Sequence, residues 1–444
     1  MIRAAKHIRS TFLRLVLIGV SGSTWAVDYT VYIAPDDHTD YIWSAGEAAY
    51  EQAFLDMLDY YLQKADDTES SSPEFQSRWN CDGSFWLWTY EKNRTPAQFD
   101  RLMSRIADGH VNVPLNALSV CLGAAPVEAV IRGMYYPGQI ERRYGVRFLT
   151  ALAMENATMP YGVGSIWAGA GARYCWQGIC NCDTLVANAW DREHDVYWWV
   201  GPDGTRLLMK WNSQLSGNQS MGGYAEARDP QSVVDYVTIN APFNGFGARY
   251  PYDVIGAFGQ GWDDIQTTDQ DLVTAAQVKT DATRKVIVSN EVDYFLNFEN
   301  AHGLGLPNVS QTFGNEWEIY LASMAEVASR AKRSLEKLRP AEAMATLVSL
   351  KNPAFMIGRE ASRDQAWMDY GLFYEHNYGT AGTSPALATE HKAWSHRLAG
   401  EIETYVDSLY ADAKVALGEL IQKSGANARF FAFNALSWTR TDFA

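Results

Sequence analysis

The chain has 444 residues, too many for one ordinary hydrophobic core, so two or more domains are expected. A net charge of −15 leaves no basic stripe to neutralise phosphates, which argues against nucleic acid as a partner. Apolar content is ordinary, disorder is not indicated, and 16 Trp with 24 Tyr suit flat amphipathic ligands such as sugars, although large cores also hold aromatics.

Residues 1–26 read as a signal peptide. Arg3, Lys6, Arg9 and Arg14 precede or enter the apolar run Leu13 to Val20, and the small and polar stretch SGSTWA ends at Ala26, a plausible cleavage point. The apolar run is too short to span a bilayer, and no later segment reaches spanning length. The mature chain is therefore expected to begin near Val27, to be secreted or periplasmic, and to have no membrane partner. Export permits disulfides. There are five cysteines, and in the cluster YCWQGICNCDT a disulfide of Cys175 with Cys180 or Cys182 is favoured over a thiolate metal site, because no CxxC pair is present.

YTVYIA, Tyr29 to Ala34, reads as a strand. In AAYEQAFLDMLDYYLQKA, Tyr50, Phe54, Leu58, Tyr61 and Leu62 fall on one helical face. FWLWTY then reads as a strand, and TPAQFDRLMSRIADG as a helix opened by Thr95 or Pro96 and ended by Gly109. HVNVPLNALSV is again strand-like. This alternation predicts parallel βαβ units, an α/β domain over residues 27–310. Over residues 311–425 the texture is helical. NEWEIYLASMAEVASRAKRSLEKLRP, REASRDQAWMDYGLFYEH and a long segment from His391 predict a helical bundle. RFFAFNALSWTRTDFA, within residues 426–444, reads as a strand, a turn and the start of another strand, and the chain looks cut off there.

Three motifs bear chemistry. Asp36, Asp37, His38 and Asp40 crowd the end of the first strand. In extended chain His38 and Asp40 project to one side, which suits chelation of one divalent ion, whereas the plainer reading is a solvated loop. In GAFGQGWDDIQTTDQD the apolar run DVIGAF predicts a strand that delivers Asp263 and Asp264 to its C-terminal mouth. They form a carboxylate platform there or, more simply, a helix N-cap. In LFYEHNYGTAGT a histidine, His376, sits at a helix end, where it would ordinarily be structural.

Taken in order, HTDYIW, GWDD and EHNYGTAGT resemble the motifs of glycoside hydrolase family 38, the α-mannosidases. FNALSWTRTD is similar to the opening of that family's C-terminal β-sandwich. The resemblance implies a distorted parallel β/α-barrel-like domain, a three-helix bundle and the first strands of a β-sandwich. It implies one zinc ion held by His38, Asp40 and His376, with calcium as the other metal considered, and a carbohydrate substrate. Trp43 would pack on the sugar and Asn377 would stand where the family hydrogen-bonds it. Asp264 would be the general acid/base, flanked by Asp263. The family's nucleophilic Asp is missing. Cys121 or Leu122 occupies its place, and Glu128 is the nearest acid downstream. Besides a retaining glycosidase, a metal-dependent carbohydrate deacetylase using Asp36 or Asp37 as base and a non-catalytic sugar-binding homologue are compatible with these residues.

Overall fold

The computed structural model describes residues 28–154, 158–178, 195–212, 226–239, 246–259, 271–313, 317–377, 382–422, 424–427, 430–439 and 441. The strands are β1 (Tyr29–Ala34), β2 (Trp79–Asn80), β3 (Val111–Asn112), β4 (Thr150–Met154), β5 (Tyr174–Gly178), β6 (Val196–Val200), β7 (Arg206–Trp211), β8 (Val254–Phe258), β9 (Arg284–Val288) and β10 (Asn308–Val309). Between them run α1 (Glu47–Thr68), α2 (Ser84–Asn93), α3 (Pro96–Ala107), α4 (Val127–Gly133), α5 (Tyr135–Tyr144), α6 (Val163–Ala170), α7 (Pro230–Thr238), α8 (Phe246–Arg249), α9 (Leu272–Lys279) and α10 (Glu291–His302). The helices α11 (Ala325–Ser349), α12 (Glu360–Leu372) and α13 (Pro385–Leu420) follow.

The molecule is α/β. β1 is the middle strand of a parallel trio, β8-β1-β9, and β2 pairs with β3 in parallel. A five-stranded sheet has the order β10-β6-β7-β5-β4. β4, β5 and β7 are parallel, and β6 runs antiparallel to β7. Backbone contacts beyond the strands link these sheets. Asp36 bridges to Asn80, Leu115 N–H donates to the Thr150 carbonyl, and Glu226 N–H donates to the Phe258 carbonyl. Val31, Ile33 and Ala34 are fully buried, as parallel strands covered on both faces require.

Two apolar clusters hold the chain together. One packs β1, β8 and β9 against Tyr294, Phe295 and Phe298 of α10. The other runs from α1 and α2 into α11, α12 and α13. Tyr41, for example, meets Trp394 of α13 with ring centroids 5.3 Å apart.

Several elements match the sequence reading. β1 and β8 form as expected, and Thr95 caps α3 in a reciprocal capping box with Gln98. Others need correction. FWLWTY lies in helix α2, not in a strand, and β3 covers only two residues of HVNVPLNALSV. The helix expected to end at Pro340 continues through it to Ser349. Among described residues 430–439 no strand forms. A strand needs a paired neighbour to satisfy its backbone, and the segment offers only the expected turn, with Asn434 Nδ2 donating to the Trp438 carbonyl at 2.8 Å. Cys175 is a free thiol buried within β5, so the favoured disulfide is not seen; Cys180 and Cys182 lie outside the described residues.

Candidate metal centre

β1 does not end its extended course at Ala34. The Pro35 carbonyl accepts both the backbone N–H of Asn80, at 3.1 Å, and its side-chain amide, at 3.0 Å. This ties residues 35–36 to β2 and carries the chain inward, so that Asp36, Asp37, His38 and Asp40 are all buried. They are not a solvated loop. The run ends in a turn, with Trp43 N–H donating to the Asp40 carbonyl at 3.0 Å. Ile42 sits in the left-handed region at a φ of 60°, a costly conformation for a β-branched residue.

His376 arrives from the other end of the chain. After α12, residues 374–376 run antiparallel to the segment following β3. Cys121 N–H donates to the Tyr374 carbonyl at 2.8 Å, and His376 N–H to the Ser119 carbonyl at 3.1 Å. Further along the chain, the N–H and hydroxyl of Thr383 both donate to the Trp43 carbonyl.

His38, Asp40 and His376 meet as a triangle. His38 Nε2 is 3.2 Å from His376 Nε2 and 3.3 Å from Asp40 Oδ1, and His376 Nε2 is 2.5 Å from the same Asp40 oxygen. Donors about 2.05 Å from a tetrahedral ion stand about 3.3 Å apart, so the donor types and the two edges at His38 fit a divalent cation, whereas the 2.5 Å edge between His376 and Asp40 is a short hydrogen bond that an ion would have to open. Among the described residues this is the only group of three or more His, Cys, Asp or Glu side chains so gathered. Burial alone would raise the Asp40 pKa, but the two imidazoles outweigh it and hold the carboxylate well below its ordinary range. Burial would lower both histidines; Asp40 and Asp82 instead raise His38, and Glu375 and Asp40 raise His376.

The other expected residues fall as follows. Cys121 is buried, its Sγ 3.9 Å from the His376 carbonyl oxygen. Glu128, in the first turn of α4, lies 3.4 Å from Arg132, which in turn pairs with Glu342 at 2.7 Å. Asn377 is buried beside His376, and Trp43 is half-buried. β8 delivers Gly259, whose N–H bonds the Ala34 carbonyl at 3.0 Å, but Asp263 and Asp264 lie outside the described residues.

Several solved structures match with probability 1.00, among them two of glycoside hydrolases. An α-mannosidase from Enterococcus faecalis V583 shares 16% identity at a TM-score of 0.64, over 88% of this chain and 43% of that one. A glycosyl hydrolase family 38 protein from Enterococcus faecalis also shares 16% identity, at a TM-score of 0.57, over 89% of this chain and 41% of that one. The fold is that of glycoside hydrolase family 38. The chain thus spans less than half the length of either family 38 structure. No protein-family model and no curated protein sequence matches it.

Among the buried acids of this family 38 fold that the motifs did not single out, four are of interest here. Asp82, at the end of β2, faces His38, and Glu375 faces His376. Glu291 opens α10 beside Asp36, and Glu226 pairs with Lys210 at 2.9 Å. A carboxylate directly after a strand, as in NCDGSF, is the signal that could have flagged Asp82. The acid next to the histidine in EHN could have flagged Glu375.

Proposed function

We propose that the chain is an exported, metal-dependent glycoside hydrolase of α-mannosidase type, with a divalent ion, zinc, held by His38, Asp40 and His376. The observation that carries this reading is the meeting of those three ligand atoms from segments 338 residues apart in sequence. Residues 1–26 serve as the export signal, and the mature chain begins near Val27 in the periplasm or outside the cell. The parallel strands are read as a distorted β/α barrel and α11 to α13 as a three-helix bundle. Two imidazoles with one carboxylate favour zinc over calcium.

A zinc ion held by His38, Asp40 and His376 would supply a Lewis acid for binding and polarising the sugar. Trp43 covers a face of the sugar and Asn377 hydrogen-bonds it. Asp264 would protonate the leaving oxygen and then take a proton from water, with Asp263 flanking it in sequence. A retaining reaction also needs a nucleophile roughly 5–5.5 Å from that acid. Of the two residues named for this place, Glu128 is engaged with Arg132, whereas Cys121 adjoins His376.

A second reading, a sugar-binding protein without turnover, is favoured by one observation: position 121 carries a buried thiol and no carboxylate. Metal analysis and aryl α-mannoside hydrolysis separate the readings. The wild-type chain is expected to bind about one zinc, and His38→Ala and His376→Ala to bind none. Zinc-dependent hydrolysis that falls roughly 100-fold or more in Asp264→Asn supports the glycosidase. Zinc and mannose binding without hydrolysis supports the second reading. Failure of the wild type to take up zinc overturns both.

A further inference from the structure

The two histidines of the triangle are held from behind as well as in front. Each turns Nε2 to the common centre and Nδ1 to a fully buried carboxylate. His38 Nδ1 lies 3.4 Å from Asp82 Oδ2, and His376 Nδ1 lies 2.7 Å from Glu375 Oε1. Each carboxylate also accepts the backbone N–H of the residue that follows its histidine. Asp82 Oδ2 takes Thr39 N–H at 2.8 Å, and Glu375 Oε2 takes Asn377 N–H at 3.0 Å. The same clamp is thus built twice, from unrelated segments.

Both carboxylates sit on backbone that cannot shift easily. Asp82 is followed by Gly83, where a Cβ would lie 2.0 Å from the Ala117 carbonyl oxygen. Glu375 is bridged to Val120. A neutral imidazole has one N–H and one lone pair. Both Nδ1 contacts are ion-pair distances whose alignment falls short of a hydrogen bond; a turn of either ring that lets its carboxylate accept from Nδ1–H would leave the lone pair on Nε2, the nitrogen that faces the triangle here.

We propose that Asp82 and Glu375 are the positioning residues of the metal centre, each locking the tautomer and ring angle of one ligand, His38 and His376 respectively. This rests on the metal reading given above. It goes beyond it by assigning the work to two acids that lie outside the ligand triangle.

The test is zinc affinity of the full mature chain, measured by competition with a chromophoric chelator, for Asp82→Asn, Glu375→Gln and the wild type. The amides nearly preserve shape but lose the charge. Each is expected to bind zinc roughly 10–100-fold more weakly, the usual cost of losing an outer partner of a metal ligand. The melting temperature of the chelator-treated variants is read alongside, because a purely structural role would move that and leave zinc affinity alone. Affinities within about twofold of wild type overturn the proposal. A measurement on the wild type needs no variant to fold. In the zinc-loaded chain labelled with nitrogen-15 histidine, His38 and His376 should both show a protonated Nδ1 and a metal-bound Nε2, and the opposite tautomer at either overturns the proposal. A wild type that takes up no zinc overturns the metal reading and this inference together. Zinc uptake lost in His38→Ala but unchanged in both amide variants overturns this inference alone.

Discussion

Glu291 is fully buried at the start of α10, its backbone N–H given to Asn80 Oδ1 and its carboxylate approached by the Asn112 amide. Burial pushes its pKa up to about 8; the Trp176 indole and the Asp36 carboxyl beside it pull it back, and the charge on Asp82 adds to the rise. Asp36 is raised too, by burial and then by Glu291, because two carboxyls side by side in a dry interior do not both ionise. Between the ordinary carboxyl range and about 8 the folded chain therefore keeps a proton that the unfolded chain releases, and stability falls as pH rises through that window. Glu291→Gln removes the penalty while keeping an acceptor for Asn112. Its apparent melting temperature, taken on the chelator-treated chain, should exceed wild type by about 1–3 °C at pH 8 and by little at pH 5. An equal gain at both values would show that titration is not involved. At this scale the sequence was partly legible. His38 and Asp40 stand out by residue type and spacing, whereas His376, on its own a structural histidine at a helix end, was marked only by the family resemblance. Asp82 and Glu375 do not stand out, because their value depends on which ring nitrogen points at them, and that is known only once the chain is folded.

The helix α2 shows where element reading failed. Its aromatic residues favour a strand by propensity, yet Ser84 to Tyr90 are all buried, so no polar face marks the helical period. α11 shows the opposite case. Pro340 removes one hydrogen bond, but Leu338, Ala341, Met344 and Ala345 continue the apolar stripe across it, and packing against α13 outweighs the lost bond. β1, α1, α3 and α13 were legible because each has a clean period or cap. Two glycines set the position of the element that leads to His376. A Cβ at Gly371 of α12 would lie 2.6 Å from the Cα of Gly133 in α4, closer than real atoms approach. Gly371→Ala must push the two helices apart and should cost roughly 1–3 kcal/mol in chemical denaturation. It should also weaken zinc binding, since His376 follows five residues later. Gly400→Ala, on α13 with open space around its Cβ, is the control and should be neutral or slightly stabilising. Equal behaviour of the two variants would remove the argument for a close-packed seat under His376.

Across the whole molecule the larger apolar cluster and the metal triangle join the same two parts of the chain, the α/β strands and the late helices. If the triangle holds zinc in the folded chain alone, as proposed, zinc should raise stability by about 2.7 kcal/mol at a hundredfold excess over its dissociation constant. The check is the melting temperature with and without zinc. The rise should vanish in His376→Ala, and a rise that persists would place the bound ion elsewhere. Periodicity foretold alternating α/β elements followed by helices, but which strands pair, and that β6 turns antiparallel, depends on contacts between distant segments that carry no local mark. The 338-residue separation of His38 and His376 also has a consequence in time. At roughly 5–20 residues per second of synthesis, His38 and Asp40 leave the ribosome about 20–70 s before His376 exists. For that interval the early half of the cluster waits with two ligand side chains and no closing imidazole, and an ion held as proposed could be captured for good only once His376 has been made.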